Sequence, residues 1–397
     1  MIYITENSPH CCGCSACASA CQVSAIKMKQ DRLGFFYPVV DQTLCVNCGR
    51  CDIVCNFTKK HDRSATILYA AAFQSKNNEV LRQSSSGGAF IEISDRILSC
   101  GGVVYGAVFD EPRKEIRHIE ACSISERNKM CGSKYVQSNM AGIYKKIKKR
   151  VDSNIPVLFT GTPCQCAAVV SYLGDHPSNL TLIDLLCHGV PSPAVFKDHL
   201  LWCEKRLKAK ITEYKFRDKR YGYLYTHSAS LDNNTQVYNI WLKRVLKLYS
   251  INMRESCYIC PYASRHRYGD ITIGDYWDAW QNNIQMTYRT GCSIIFANTP
   301  KGKTIITKLS DSCNIHEVDP LTIKQDALNK PVKKSVQVDA FRKVYLLKGY
   351  KAALDQFAPL TIKSWGYNTL QRWMNSLHMD WVLRNIESIF LNSWKKQ

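Results

Sequence analysis

Apolar positions along the chain fall into short runs that alternate with segments of helical period. Residues 67–73, 103–109, 157–160 and 180–186 read as strands. Residues 89–98, 140–151, 165–173 and 194–207 carry apolar side chains at helical spacing between them. This alternation predicts an α/β domain with a mixed, partly parallel sheet. Thr162-Pro163 and Ser192-Pro193 each set a capping side chain before a proline at the first helical position. Both follow a predicted strand, which marks strand-end loops of the kind where α/β proteins bind ligands. Residues 210–217 and 226–238, with an Asp232-Asn-Asn-Thr turn, read as strands or a hairpin. Residues 360–394 return to helical spacing through Leu370, Met374, Leu377, Trp381, Ile386, Phe390 and Trp394, which predicts a helical C-terminal region.

The first 60 residues have a different texture, set by cysteine. The chain has 397 residues and 20 cysteines, nine of which fall between Cys11 and Cys55. That length exceeds one compact core, and three parts are expected. They are a small α+β module over 1–60, an α/β domain over 61–290, and a mostly helical extension over 291–397. The polar residues 58–64 read as the linker after the module. Apolar runs fall far short of a membrane span, and the start of the chain lacks the basic residues and apolar stretch of a signal peptide. A cytoplasmic location is therefore expected, where disulfides are rare. So many thiols there point to metal.

Cys11, Cys14, Cys17 and Cys21 form C-x2-C-x2-C-x3-C, and Cys45, Cys48, Cys51 and Cys55 repeat it 34 residues later. Three thiolates on a tight loop form most of one corner for a cubane cluster, and the fourth must come from elsewhere. In two-cluster ferredoxins the last cysteine of each run ligates the other cluster. The expected ligand sets are Cys11, Cys14, Cys17 and Cys55 for one [4Fe-4S] cluster, and Cys45, Cys48, Cys51 and Cys21 for the second. Zinc sites pair two C-x2-C halves and do not call for a third and fourth cysteine at this spacing. The module resembles a bacterial-type dicluster ferredoxin, except that Gln22 and Asn56 stand where proline usually follows the last cysteine. Cys12 neighbours Cys11, but only Cys11 keeps the spacing.

Four more cysteines have distinctive settings: Thr160-Gly-Thr-Pro-Cys164-Gln, Leu186-Cys187-His-Gly-Val-Pro-Ser192, and Ser256-Cys257-Tyr-Ile-Cys260-Pro. Strand-end loops of one sheet can converge, so these thiols could meet. Two singlets and a C-x2-C also suit zinc, or buried free thiols. With Ser84-Ser-Ser-Gly-Gly88 and Gly132-Ser-Lys-Tyr-Val-Gln-Ser138 before them, and Gly269-Asp-Ile-Thr-Ile-Gly-Asp-Tyr-Trp277 after, they stand in a fixed order. As an ordered set these motifs resemble the beta-subunit family of coenzyme F420 (deazaflavin) hydrogenases and dehydrogenases, from about residue 67 to 280. The resemblance implies an FAD-binding domain with its own [4Fe-4S] cluster, held by Cys164, Cys187, Cys257 and Cys260. It also implies a two-electron to one-electron exchange carried by flavin.

Flavin contacts are expected from Ser85, Ser86, Gly87 and Gly88, whose hydroxyls and close N–H groups at a helix start suit phosphate. Lys134 would neutralise pyrophosphate or the flavin, and Gly161 and Thr162 would join them. Each has a plainer reading: a capped helix entry, or a solvated lysine. No Gly-x-Gly-x-x-Gly fingerprint exists, since Gly101-Gly102-Val-Val-Tyr-Gly106 fails the spacing, which disfavours NAD(P). Arg217-Asp-Lys-Arg220 could hold an anionic substrate or form a solvated face. His188 and His10, each beside a proposed ligand, read as structural histidines. No nucleophile or hydrolytic triad is indicated, so the catalytic group expected is the flavin.

Charge adds a constraint on partners. The formal net charge is +20, yet residues 1–60 hold six Lys and Arg against four Asp and Glu. Clusters loaded at about −2 each would make that module neutral or acidic, and the excess lies in the larger part, most densely from Lys145 to Arg150. An acidic redox carrier or an anionic substrate fits; nucleic acid would need a reading motif, and none is found. Trp373, Trp381 and Trp394 with Lys395 and Lys396 could touch a membrane surface or pack against the domain. The expected function is an iron–sulfur flavoprotein oxidoreductase. Electrons would pass between ferredoxin or reduced deazaflavin, three [4Fe-4S] clusters and FAD, with a sugar-related substrate suggested by stand-alone relatives beside surface-polysaccharide enzymes. The alternatives are an electron-transfer subunit of a larger dehydrogenase or hydrogenase, and a zinc-stabilised binding protein.

Overall fold

The computed structural model describes residues 9–57, 67–221, 227–238, 242, 244–277, 279, 286 and 290–360. The linker expected over 58–64 and the helical pattern beyond Leu360 lie outside these residues. The 34-residue repeat of the module is also a repeat of backbone. Gly13 and Ser15 have φ of 66° and 69°, and their counterparts Asn47 and Gly49 have 53° and 69°. Both cysteine loops thus close through the same pair of left-handed residues, where glycine costs least. Each runs into a short helix, Ala16–Ala20 or Arg50–Ile53. Strands β1 (Ile26–Gln30) and β2 (Phe36–Val40) pair antiparallel between them, with Ile26 opposite Val40. Asp31 fixes their turn by accepting from the N–H groups of Leu33 and Phe35, both at 2.9 Å.

The larger part is built on an eight-stranded sheet among the described residues. In chain order its strands are β3 (Tyr69–Ser75), β4 (Val103–Asp110), β5 (Glu115–Ala121), β6 (Val157–Gly161), β7 (Leu180–Leu185), and three later ones. Three more strands form a separate small sheet, β8 (Ile211–Lys215), β9 (Ser228–Leu231) and β10 (Gln236–Val237). The last strands of the large sheet are β11 (Ile271–Asp275), β12 (Ser293–Ala297) and β13 (Cys313–Glu317). Their spatial order is β13-β3-β12-β11-β7-β6-β4-β5. The inner pairs β11–β7, β7–β6 and β6–β4 are parallel, and the outer pairs are antiparallel. The sheet is therefore mixed and partly parallel, as the alternation of elements predicts.

Alternate residues of each inner strand face opposite layers. Val103, Tyr105, Val157, Phe159 and Leu182 pack on one face with helices Ile143–Asp152 and Pro163–Leu173. Val104, Leu158, Ile183, Ile271 and Ile295 pack on the other with Ala89–Ser99 and Pro300–Thr307. Thr162 caps its helix through a capping box with Gln165, and the Ser192 hydroxyl accepts from the Val195 N–H, so both expected proline-marked starts are present.

Strands β12 and β13 are the departure from the expected layout. They belong to the central sheet, so that sheet runs past the boundary expected at 290, and the long helix Val338–Phe357 follows it. Their signal is weak because each is a five-residue strand reached only after a long connection. The Gly269-Asp-Ile-Thr-Ile motif is the hub of this layer. Asp184 on β7 accepts from the Arg267 guanidinium at 2.7 Å, the Thr272 hydroxyl at 2.7 Å and the Gly269 N–H at 2.9 Å. A Cβ on Gly269 would stand 2.8 Å from the Asp184 nitrogen, so only glycine admits that approach. Asp270 in turn accepts from the Leu182 N–H and the Thr299 hydroxyl.

The candidate redox site

The carboxyl ends of β4, β6, β7 and β11 open into a cavity of about 440 Å³, the position where α/β sheets bind ligands. Its size is that of a small-molecule or cofactor pocket. Ser85, Ser86, Gly88, Lys134, Gly161 and Thr162 line it, which brings six of the seven expected flavin contacts to one place. Gly87 does not line it. A Cβ there would fall 2.1 Å from the Phe73 carbonyl oxygen, so this glycine lets the loop lie against β3. Gly88, at φ 94°, caps helix Ala89–Ser99, whose first turn lines the cavity.

The charged residues are arranged differently from the expectation. The Lys134 ammonium donates to the carbonyls of Lys129, Met130 and Cys131 at 3.2, 2.6 and 2.8 Å. Burial pushes its pKa down to about 8. It holds a turn of the cavity wall. Arg217 donates to Asp275 at 2.7 Å and to the Ser85 carbonyl at 3.1 Å, and Lys219 to the carbonyls of Leu81, Ser86 and Thr290. Arg220 pairs with Asp218. The Arg217–Arg220 run is thus neither a solvated face nor an open anion cradle; its first and third members brace the Ser84–Gly88 loop from below.

Three lining residues present buried polar atoms without a hydrogen-bond partner among the described residues: His118 Nδ1, Thr160 Oγ1 and the Tyr249 hydroxyl. His118 sits on β5 opposite Ala107, stacks on Phe159 at 5.3 Å and is 2% exposed. Its Nε2 lies 3.1 Å from the Thr160 carbonyl, which can only accept. The proton is therefore on Nε2, and Nδ1 is left as an acceptor. Burial pushes the His118 pKa down to about 4, so the ring is neutral at pH 7. Orphaned buried polar atoms are costly without a partner. A largely apolar cavity with these atoms and a helix start suits a planar cofactor carrying phosphate and several donors, as FAD does.

A second, smaller cavity of about 40 Å³ adjoins it, lined by Cys164, Cys187, Cys257 and Cys260 together with Cys12 and Arg254. Burial and the neighbouring thiols push Cys187 and Cys260 up to about 12. Cys164 is shifted the other way, by a hydrogen bond from Cys12 and another from Thr162, whose Oγ1 lies 3.1 Å from its sulfur. The Val190 N–H points at the Cys257 sulfur at 3.4 Å. In the module, the thiols of Cys11, Cys14 and Cys17 interact with one another, and those of Cys11 and Cys17 also with Cys55 of the other repeat. Cys51 interacts with Cys45, and Cys21 receives the Ala25 N–H at 3.2 Å. Cys48 is exposed. Backbone N–H groups aimed at sulfur are a means of tuning iron–sulfur clusters.

Among the described residues no three His, Cys, Asp or Glu side chains form a group that could hold one metal ion.

Comparisons with known proteins bear on this arrangement. Residues 156–322 match the family model for the C terminus of the coenzyme F420 hydrogenase/dehydrogenase beta subunit. Residues 10–58 match the 4Fe-4S dicluster domain. A solved structure of the F420-reducing [NiFe] hydrogenase complex from Methanosarcina barkeri, derivatised with xenon, aligns at TM-score 0.46 and 16% identity. The alignment covers 73% of this chain and 91% of that one. No curated protein sequence matches. The chain thus carries an N-terminal 4Fe-4S dicluster domain, followed by a region similar to the C terminus of an oxidoreductase beta subunit. It falls in the class of iron–sulfur electron-transfer proteins. No described helix is long and apolar enough to cross a membrane.

Sequence reasoning misses His118, Tyr249, Arg254 and the position of Cys12. By spacing Cys12 reads as an ordinary thiol, but it lines the small cavity and touches both Cys14 and Cys164. Its adjacency to Cys11 is the one available signal. His188, expected to be structural, lines both cavities and stacks on Trp277 at 5.2 Å. His10 shows no resolved role.

Proposed function

We propose that this chain is an iron–sulfur flavoprotein oxidoreductase, with FAD in the larger cavity and three [4Fe-4S] clusters. The third cluster would be held by Cys164, Cys187, Cys257 and Cys260. The other two would take Cys11, Cys14, Cys17 and Cys55, and Cys45, Cys48, Cys51 and Cys21. The observation that carries this reading is a common wall. Thr162, Cys187, His188, Gly189 and Val190 line both cavities, while Cys12 of the module lines the smaller one. Flavin exchanges electrons in pairs or singly and the clusters singly, which is the chemistry these groups supply when bound.

The chain's own residues hold and dry this path. Ser85, Ser86 and the helix start at Gly88 would take the phosphates, and His118 Nδ1, Thr160 and Tyr249 the donors and acceptors of the ring or ribityl chain. The four inner cysteines are partly buried, whereas Cys48 is exposed beside Leu44, Val46 and Ile53, which are 48%, 65% and 62% exposed. We read that face as the port for an external carrier, a reduced ferredoxin-like protein or deazaflavin. The acceptor would be a small substrate at the flavin, and a sugar-related one is the reading the stand-alone relatives favour.

Anaerobic purification tests this directly. A brown protein with about twelve irons and one flavin per chain is expected. A colourless protein with stoichiometric zinc would overturn it. Screening reduced carriers for bleaching of the flavin then identifies the donor.

A further inference from the structure

Arg254, a cationic side chain, is 0% exposed. Its Nε donates to the Cys11 carbonyl at 2.6 Å, Nη2 to the Phe36 carbonyl at 2.9 Å, and Nη1 to Gln137 Oε1 at 3.1 Å. The guanidinium lies 4.1 Å from the Tyr37 ring centroid and 5.4 Å from that of Phe35. Gln137 closes the ring of contacts by donating to the Cys12 carbonyl at 2.8 Å. Gly13 must be glycine here, because a Cβ would stand 2.8 Å from Arg254 Nη1. The arginine thus joins the module to the larger domain, and every acceptor it uses is neutral. Among the described residues it forms no ion pair with Asp or Glu, unlike the buried Arg267, which has Asp184.

A buried charge without a counter-charge is expensive, and removing partners of buried ions costs several kcal/mol. The negative groups in reach are thiols of two sites. Arg254 lines the small cavity with Cys164, Cys187, Cys257 and Cys260, and its Nε is bonded to the carbonyl of Cys11 in the module. None of its hydrogen bonds or ring contacts among the described residues reaches Cys45, Cys48 or Cys51, in the other set of the module.

We infer that Arg254 is the shared counter-cation of the two inner cluster sites and raises the reduction potential of both above that of the outer one. This rests on the reading of both sites as [4Fe-4S] centres. Each centre gains one electron and no proton on reduction, its net charge with four thiolates going from about −2 to about −3. A fixed cation between two such centres favours the reduced form of each. It also offsets their mutual repulsion when both hold an electron, the condition under which two electrons can follow one another to a two-electron cofactor.

The test is an anaerobic redox titration of the whole chain followed by EPR, with Cys187→Ala titrated in parallel to assign the third centre. Arg254→Gln should lower the midpoints of the two inner centres and leave the outer one in place. Arg254→Lys, which keeps the charge, should restore most of the shift. If Arg254→Gln does not load its clusters, Gln137→Glu gives the second route. It keeps the arginine, sets a carboxylate against its Nη1, and should lower the same two midpoints. Unchanged midpoints in clusters that load normally, or an equal fall in all three, would overturn the inference. Absence of cluster signals in the unmodified chain would overturn the reading beneath it instead.

Discussion

His118 has one nitrogen committed to the Thr160 carbonyl and one free towards the cavity, so its contribution to binding is an acceptor that must be neutral. Replacing it by Ala should weaken flavin retention by about 1–3 kcal/mol, roughly 5- to 150-fold. Iron content should stay the same, which flavin and iron assays on one sample will show. The same residue sets an acid limit. Its pKa is about 4 in the folded chain against 6.5 when unfolded. Protonation therefore favours the unfolded state, and the contribution of His118 to stability is constant above about pH 6.5. It falls by about 1.4 kcal/mol per pH unit from there to about pH 4. His118→Phe should flatten part of that slope in denaturation midpoints measured at about pH 7 and 5. Cys187→Ala should remove about four irons and leave the N-terminal pair, as read by iron content and EPR. Loss of all three clusters would show that the inner site is a folding requirement for the module.

At the scale of elements, the cysteine loops are legible because their chemistry is local: spacing alone brings three sulfurs to one corner, and the repeat betrays the fourth. Strands β4, β6 and β7 are legible from short apolar runs bounded by turns. What escapes is whatever depends on distant segments meeting. Nothing about an arginine before a glutamate and a serine announces burial, and Arg254 becomes informative only when the first cysteine loop, β2 and the 132–138 loop close around it. His118 looks like one polar position on an edge strand. The buried Asp184–Arg267 pair is equally silent, though it ties β7 to the segment before β11. Asp184→Asn leaves Arg267 buried without its charge partner and should cost about 3–5 kcal/mol. A fall in the denaturation midpoint of the anaerobically prepared chain will check it; an unchanged midpoint would mean that the carbonyls of Tyr262, Ser264 and Leu185 suffice for Arg267.

For the molecule as a whole, the sequence separates a near-neutral module from a basic body, and the structure puts them in contact. Helix Ile143–Asp152, with Lys145, Lys146, Lys148, Lys149 and Arg150, packs against the module helix Ala16–Ala20. Lys148 and Arg50 of the module both act on Tyr172. The seam between the module and the body is therefore lined with cations. An acidic carrier should reduce the chain at a rate that falls steeply with added salt. Reduction by a small neutral dye should be much less sensitive, and stopped-flow traces of cluster bleaching compare the two.

The small cavity has a consequence for how the protein is made. Its four cysteines come from segments nearly a hundred residues apart, and one side is closed by Cys12 and Arg254 once the module is seated. The site does not exist until β6, β7 and the Cys257–Cys260 loop are in place, and it is walled in afterwards. Iron and sulfide must enter between those two events. A chain folded without iron should then accept metal readily in the module loop that carries the exposed Cys48 and slowly, or only after loosening with mild denaturant, at Cys164, Cys187, Cys257 and Cys260.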